Sequence, residues 1–162
     1  MEDQNISEEK IDVGIRARNK AGGYFKSGHN CSEAIFLSFR DLLFPSLDRD
    51  LVMLTTGFGG GMGESGCTCG ALSGSTIVLG LLQGRTTADD DRTRVYKLAH
   101  EFHDRFKGNF KSTCCRVLNG TDYETSEHLK RCLKITGGTA KMLMEFILEK
   151  NLVSENLVNV DK

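Results

Sequence analysis

The sequence has no tryptophan, a single proline and no excess of charge of either sign. Its 21 Lys and Arg residues face 22 Asp and Glu residues, so the formal net charge is −1 at pH 7. Because the basic residues are interspersed with acidic ones, no surplus of positive charge is available to attract a phosphate backbone. We therefore expect no nucleic-acid partner.

Long hydrophobic runs are also missing. The most apolar stretch, STIVLGLL at residues 75–82, is far shorter than the roughly 18 residues that a membrane-spanning helix needs. The first residues, MEDQNISEEK, are acidic and polar, whereas a secretory signal begins with basic and then apolar residues. The sequence therefore predicts a cytoplasmic protein that is not inserted in a membrane.

Six cysteines are present in a chain of 162 residues. Cytosolic thiols are kept reduced, so cysteines there indicate metal binding, redox chemistry or burial more often than structural disulfides. No C-x-x-C-H run occurs, and we expect no covalently bound haem.

The pattern of apolar residues predicts an all-α protein. Residues 1–150 are expected to form one compact domain of five or six helices with a glycine-rich loop, followed by a flexible tail at 151–162. Ile11, Ile15, Gly22 and Phe25 lie on one face of a first helix. Asn30 and Glu33 have the spacing of a capping box, which predicts a second helix that ends at Phe44–Pro45.

Three further helices follow in the prediction. Residues 69–84 form a tightly packed helix in which Gly70 and Gly74 make one face thin enough for close approach. Thr87 and Asp89–Asp91 are expected to cap the next helix, whose buried stripe is Val95, Leu98, Ala99, Phe102 and Phe106. The last helix begins near Ser126, and Gly137–Gly138 is expected to kink or interrupt it.

The glycine loop itself allows a second interpretation. Gly61, Gly63 and Gly66 have the G-x-G-x-x-G spacing of nucleotide-binding loops, with residues 51–58 and 75–83 as flanking strands. However, residues 88–150 contain only helical patterns, and two strands alone cannot make a covered parallel sheet. We therefore expect no nucleotide.

Each of three cysteine positions follows a residue that favours helix N-termini. Asn30 precedes Cys31, Thr68 precedes Cys69 and Thr113 precedes Cys114–Cys115. A thiol in the first turn of a helix faces backbone N–H groups and the positive end of the helix dipole, which lower its pKa and make it a better nucleophile and metal ligand. Cys132 lies in the middle of a predicted helix, where simple burial is the default expectation.

Four stretches resemble a known family, the C_GCAxxG_C_C redox-active proteins. They are AGGYFKSGHNCSEAIFLSF, TGFGGGMGESGCTCGALSGSTIVLGLLQG, STCCRVLNG and RCLKITGGTAKMLMEFI, and together they span about residues 21–147 in order. The CGAxxG motif of the family corresponds to Cys69, Gly70, Ala71 and Gly74. Its other cysteines correspond to Cys31, Cys115 and Cys132.

The resemblance implies a small helical protein whose four characteristic cysteines are redox-active, and whose relatives are often encoded near transporter genes. We expect Cys31, Cys69, Cys115 and Cys132 to form the site, and any bound cofactor to contact Gly70, Ala71 and Gly74. Cys67 and Cys114 lie outside the family pattern, and their roles stay open.

Two chemistries suit four such cysteines. One is an iron–sulfur or zinc centre, with electron transfer as the function, and it is slightly favoured because four thiolates are what a [2Fe–2S] cluster or a zinc ion needs. The other is a metal-free dithiol in which Cys31 or Cys69 attacks and a second cysteine, for which Cys67 is well placed, resolves. Whether the chain is an oxidoreductase or an electron carrier, and which redox partner it uses, stays open.

The third interpretation is a helical interaction protein, accessory to a transporter, in which the cysteines are only packed in the core. The thin glycine face would also allow a homodimer.

Overall fold

The computed structural model describes the backbone from Glu2 to Ser154 and the side chains from Val13 to Ser154. Within this range the chain forms seven α-helices, one 3-10 segment and no β-strand, so the all-α prediction is confirmed. The elements in chain order are α1 (Glu2–Lys26), α2 (Cys31–Leu43), the 3-10 segment (Arg49–Phe58), α3 (Gly59–Met62), α4 (Gly70–Gln83), α5 (Thr93–Phe110), α6 (Cys115–Asn119) and α7 (Ser126–Glu149).

Helix α2 occupies the centre of the domain. It packs against α1, α4 and α7, and its Ile35, Leu37 and Phe39 are completely buried. Helices α1 and α7 run antiparallel beside it, since Gly14 of α1 faces Lys141 whereas Arg18 faces Gly137. The first residue of α2, Cys31, is therefore held on an element that the core fixes from several sides.

The largest side chains of the core are phenylalanines from three helices. Phe39, Phe102, Phe106 and Phe146 are fully buried, and the rings of Phe102 and Phe146 lie 5.4 Å apart between centroids. The predicted stripe of α5 is buried at Leu98, Phe102 and Phe106, while Val95 and Ala99 are half-buried. Burial of this apolar area is the main favourable contribution to folding.

The predicted buried face of α1 is wrong at Ile15, which is 40% exposed. The helix instead buries Val13, Ala17 and Ala21. Small side chains face inward because α1 packs closely against both α2 and α7. Ile11 lies outside the residues whose side chains the structure describes.

The kink expected at Gly137–Gly138 is wrong, because α7 is one helix from Ser126 to Glu149. The glycines serve close packing instead. A Cβ atom on Gly137 would lie 3.2 Å from Cγ of Arg18, and one on Gly138 would lie 3.3 Å from the ring of Phe110. The pair thus makes room for α1 on one side and α5 on the other.

The predicted start of α5 is also wrong. The helix begins at Thr93, so Thr87 lies in the preceding loop. Asp91 lies two residues before Thr93, and its Oδ1 accepts hydrogen bonds from the backbone N–H (2.9 Å) and the hydroxyl (2.6 Å) of Thr93. These bonds hold the pKa of the Asp91 carboxyl below its ordinary value.

The strand–helix–strand arrangement of a nucleotide-binding fold is not found between residues 51 and 83. Residues 51–58 belong to the 3-10 segment, and 75–83 continue α4. At the other end of the chain, Leu152 and Val153 pack against the core, at the start of the predicted tail. The rest of that tail, residues 155–162, lies outside the described range.

Candidate functional site

Cys31 is the first residue of α2 and follows the N-cap Asn30. The predicted capping box of Asn30 and Glu33 is confirmed. Oδ1 of Asn30 accepts hydrogen bonds from the backbone N–H groups of Ser32 and Glu33, both at 3.0 Å. In return, Oε2 of Glu33 accepts from the backbone N–H of Asn30 at 2.9 Å. This reciprocal pair fixes the first turn of α2 and with it the position of Cys31, which is 7% exposed.

The glycine loop reverses the chain through a run of left-handed residues. Gly60, Gly61, Gly63 and Gly66 have positive φ angles between 57° and 70°. At Gly61 a side chain would also collide, because a Cβ would lie 2.6 Å from the Cys67 nitrogen and 2.7 Å from Cβ of Cys115. These glycines serve a sharp turn and a close backbone approach, and they bring residues 67–69 beside residues 113–115.

The two segments are joined by an isolated antiparallel bridge between Thr68 and Cys114. The backbone N–H of Cys69 donates to the carbonyl oxygen of Thr113 at 2.8 Å, and that of Cys115 donates to the carbonyl oxygen of Cys67. Thr68 belongs to this bridge and Thr113 lies next to it, so the expectation that they cap helices is wrong. The N-cap positions of α4 and α6 are taken by Cys69 and Cys114 themselves.

The CGAxxG residues pack α4 against the start of α2. A Cβ on Gly70 would lie 2.6 Å from Sγ of Cys31, and one on Gly74 would lie 2.9 Å from the Ser32 carbonyl oxygen. Ala71 is completely buried. The thin face expected on α4 is therefore occupied by α2 of the same chain. A contact of Gly70, Ala71 and Gly74 with a cofactor stays a prediction.

Cys31 and Cys69 line the same cavity, and hydrogen bonding by the Cys69 side chain is the largest cause that lowers the pKa of Cys31. Burial opposes this shift, while backbone N–H groups of Gly60 and Ser32 add to it. The pKa of Cys69 is raised well above its ordinary value, first by the same hydrogen bond and then by burial. Backbone N–H groups of both the glycine loop and the first turn of α2 face Cys31, whereas Cys69 has only that of Ala71, so Cys31 ionises before Cys69.

Cys115 and Cys132 complete the group. Cys115 is the first residue of α6 and is 3% exposed, and burial raises its pKa to about 11. Cys132 lies in the middle of α7, and burial raises its pKa to about 12. In both cases a negative charge on Cys31 adds to the shift, so these two thiols stay protonated near neutral pH.

A buried histidine, His128, belongs to the site and was missed by the sequence analysis. It is 3% exposed, and its Nδ1 donates to the carbonyl oxygen of Asn119 at 3.1 Å. In the neutral ring this leaves Nε2 as an acceptor, and Nε2 lies 3.3 Å from Sγ of Cys132. The available signal was its position four residues before Cys132, which places both side chains on the same face of one helix.

One cavity of about 530 Å³ joins these groups. All four family cysteines line it, together with His128, Tyr123, Asn119 and residues of the glycine loop. Cys67 does not line it and is exposed, and Cys114 is held aside by a hydrogen bond from its Sγ to the Gly66 carbonyl oxygen at 3.1 Å. The structure thus separates the four cysteines of the family pattern from the two additional ones.

His29 lies at the rim of this cavity and is half-buried. Its Nδ1 is 3.3 Å from the Tyr24 carbonyl oxygen and 3.2 Å from Oγ of Ser27. These contacts direct the ring toward the end of α1, and the hydrogen bonds that lower the pKa of Cys31 come from other residues.

Four thiols are the donor set of a zinc or [2Fe–2S] site, but their present spacing does not fit one. Within the described part of the chain, no three His, Cys, Asp or Glu side chains converge closely enough to hold a metal ion. A metal centre here would require the cysteine side chains to move toward one another.

None of the helices in the described range is long and apolar enough to cross a membrane.

Comparison with known proteins agrees with the cysteine pattern. Residues 29–146 match the sequence model of a family described as "Putative redox-active protein (C_GCAxxG_C_C)". An uncharacterized protein of Archaeoglobus fulgidus is 23% identical over 144 residues, which cover 83% of this chain and 95% of the archaeal protein. No solved structure gives a significant match. Since the family match covers most of the chain and includes the four cysteines that line the cavity, the chain belongs to the C_GCAxxG_C_C family.

Proposed function

We propose that this chain is a thiol–disulfide redox protein whose reversible disulfide joins Cys31 and Cys69. The observation that carries the proposal is the packing of the Cys31 sulfur against Gly70, the residue after Cys69, with both cysteines on the wall of one cavity. In addition, the pKa of Cys31 is lowered and that of Cys69 is raised. A dithiol couple needs one sulfur that ionises and one that keeps its proton until the second step. This pair has both properties.

The reaction follows from that division. The Cys31 thiolate attacks an electrophilic sulfur, and the first leaving group departs. The Cys69 sulfur then attacks Cys31, its proton goes to the second leaving group, and the Cys31–Cys69 disulfide forms with two electrons transferred to the oxidant. Cys115 and Cys132 stay protonated beside the pair because burial raises the pKa values of both.

Peptide mapping tests the pairing directly, because trypsin separates the relevant cysteines. Cys31 is the single cysteine of residues 27–40, and Cys67 and Cys69 share residues 50–85. After mild oxidation of the reduced protein, we expect a disulfide between these two peptides. The bond should persist in Cys67→Ser and disappear in Cys69→Ser. No disulfide at Cys31, or a link that Cys67→Ser abolishes, would refute the proposal.

A metal centre held by Cys31, Cys69, Cys115 and Cys132 is the second candidate. It is supported by the presence of four thiols around one cavity, and it requires a shorter spacing than the described one. Iron, zinc and acid-labile sulfide should be measured per chain on protein purified without oxygen. Iron with sulfide that is lost in Cys132→Ser and kept in Cys67→Ser would replace the dithiol proposal with electron transfer by a cluster.

The same measurement decides the interaction alternative. If metal is absent and all six thiols survive mild oxidation, the cysteines are core residues, and an accessory role beside a transporter becomes the leading function. If metal is absent and two thiols disappear reversibly, the dithiol proposal stands.

A further inference from the structure

We propose that this site exchanges electrons with low-molecular-weight disulfides and thiols that enter the cavity, rather than with cysteines of another protein, and that Tyr123 limits access. The inference rests on the proposed dithiol function and names its substrate class.

Both reactive cysteines are almost fully shielded from solvent. Cys31 is 7% exposed and Cys69 is 3% exposed. Cys31 lies against the backbone at Gly70, the position where a Cβ would come within 2.6 Å of its Sγ. Thiol–disulfide exchange requires direct contact between sulfur atoms, so its rate depends on access. A disulfide on the surface of a folded protein carries two polypeptide segments with it, and this bulk hinders contact with sulfurs that are so little exposed.

The cavity has the size and the lining of a small-molecule site. Its volume of about 530 Å³ lies within the range of small-molecule sites. Asn30, Thr56 and Glu64 provide polar groups on its wall, and Phe25 provides an apolar one. This lining suits a compact organic molecule of mixed polarity. Cys67 is exposed and does not line the cavity.

Tyr123 lies on the wall of the cavity and is partly exposed to solvent. Its hydroxyl donates to the Glu64 carbonyl oxygen at 3.0 Å and lies 3.4 Å from that of Gly60. The ring is half-buried and packs edge-on against His128, with centroids 5.0 Å apart. Tyr123 therefore ties the loop before α7 to the glycine loop at the cavity wall, and we expect this tie to restrict how far the cavity opens.

The proposed reaction balances with a disulfide R–S–S–R as oxidant. The Cys31 thiolate bonds to one sulfur of R–S–S–R, the S–S bond breaks, and one R–S⁻ leaves. The Cys69 sulfur then bonds to Cys31, and the second R–S group leaves with the proton of Cys69 as R–SH. The protein loses two electrons, and the small disulfide gains them.

The test compares two oxidants on the intact reduced chain. Second-order rates of Cys31–Cys69 disulfide formation are measured with hydroxyethyl disulfide and with insulin as the protein disulfide. The hydroxyethyl disulfide rate divided by the insulin rate is also measured for dithiothreitol, a small dithiol whose sulfurs are freely accessible. We expect this ratio to be on the order of 100-fold higher for this chain than for dithiothreitol, because access to Cys31 is restricted.

Variants test the role of Tyr123. Tyr123→Ala should raise the insulin rate at least about tenfold more than it changes the hydroxyethyl disulfide rate. Tyr123→Phe keeps the ring but loses the hydroxyl bonds, and should raise the insulin rate less. Tyr96 is an exposed tyrosine on α5, so Tyr96→Ala is the matched control and should change neither rate.

The possible outcomes distinguish a failure of the small-molecule inference from a failure of the proposed dithiol function. Equal ratios for this chain and dithiothreitol would overturn the small-molecule inference and leave the dithiol function intact. An insulin rate that neither Tyr123 variant raises would overturn the role of Tyr123. If neither oxidant forms the Cys31–Cys69 disulfide, the proposed function itself fails.

Discussion

The sulfur of Cys31 lies against the backbone of Gly70, so close that a Cβ atom at that position would be 2.6 Å away. The same Cβ would lie 2.7 Å from the Phe58 carbonyl oxygen. The second residue of the CGAxxG motif is therefore a glycine for a steric reason. The first cysteine of the family pattern occupies the space that a side chain there would fill.

Replacing Gly70 with alanine should displace Cys31 and destabilise the fold. We expect Gly70→Ala to lower the free energy of unfolding by about 1–3 kcal/mol, the usual cost of overpacking. Gly80→Ala, on the same helix, is the matched control, because a Cβ there meets nothing within 4 Å. That variant should be neutral or stabilising by up to about 1 kcal/mol. Urea unfolding measures both, and equal effects would contradict the steric account.

The low pKa of Cys31 should depend on the hydrogen bond from Cys69. In Cys69→Ala the donor is lost, so the thiolate of Cys31 should form only at higher pH. Cys69→Ser keeps a hydroxyl donor and should shift the curve less. The rate of iodoacetamide labelling, followed between about pH 6 and 10 by mass spectrometry of residues 27–40, measures the shift. Superimposable curves for the wild type and Cys69→Ala would rule out this hydrogen bond as the cause.

The capping box should contribute measurably to stability. Asn30→Ala removes the acceptor for two backbone N–H groups and the bond from Nδ2 to the Thr56 carbonyl oxygen. We expect a loss of about 1–2 kcal/mol in the free energy of unfolding. Asn30→Asp keeps the capping oxygen and should lose less. A thermal or urea transition decides the order, and a fully stable Asn30→Ala protein would show that the core alone fixes α2.

The ion pair between Arg105 and Glu149 should make a small, pH-dependent contribution to stability. Nη1 and Nη2 of Arg105 donate to the carboxylate at 2.8 and 2.9 Å, and these bonds lower the pKa of Glu149. A carboxyl whose pKa is lowered by folding stabilises the protein above its ordinary pKa, and the contribution is lost as the pH falls through the lowered value.

The variant Glu149→Gln tests this dependence. At neutral pH it should cost less than about 1 kcal/mol, because the pair is partly exposed. The difference from the wild type should shrink as the pH falls below about 4. Glu124→Gln, in the loop before α7, serves as the control and should show a smaller pH-dependent difference. A constant cost of Glu149→Gln across this pH range would indicate packing rather than charge.

Local signals in the sequence predicted much of the helical framework. Asn30 and Glu33 located the start of α2, and Phe44–Pro45 its end, because caps and proline act within one turn of the chain. The predicted start of the last helix near Ser126 agrees with α7, whose N-cap is Thr125. The spacing of Leu98, Phe102 and Phe106 was sufficient to identify the buried face of α5.

Features that depend on distant partners could not be predicted in this way. Gly137 suggested a kink, but its role depends on Arg18 of α1, which no local pattern shows. Thr68 and Thr113 have the residue type of helix caps, but the pairing of Thr68 with Cys114 moves the N-cap positions to Cys69 and Cys114. The arrangement of the four cysteines around one cavity follows from tertiary packing, and their spacing in the chain contains no short metal-binding signature.

The bridge between Thr68 and Cys114 also has a dynamic consequence. It is an isolated bridge, and the N–H groups of Cys69 and Cys115 both donate across it. A local opening that frees one of these amides removes the support of the other, so both amides should exchange with deuterium in a common event. The backbones of two cavity cysteines that are far apart in the sequence should therefore open and close together.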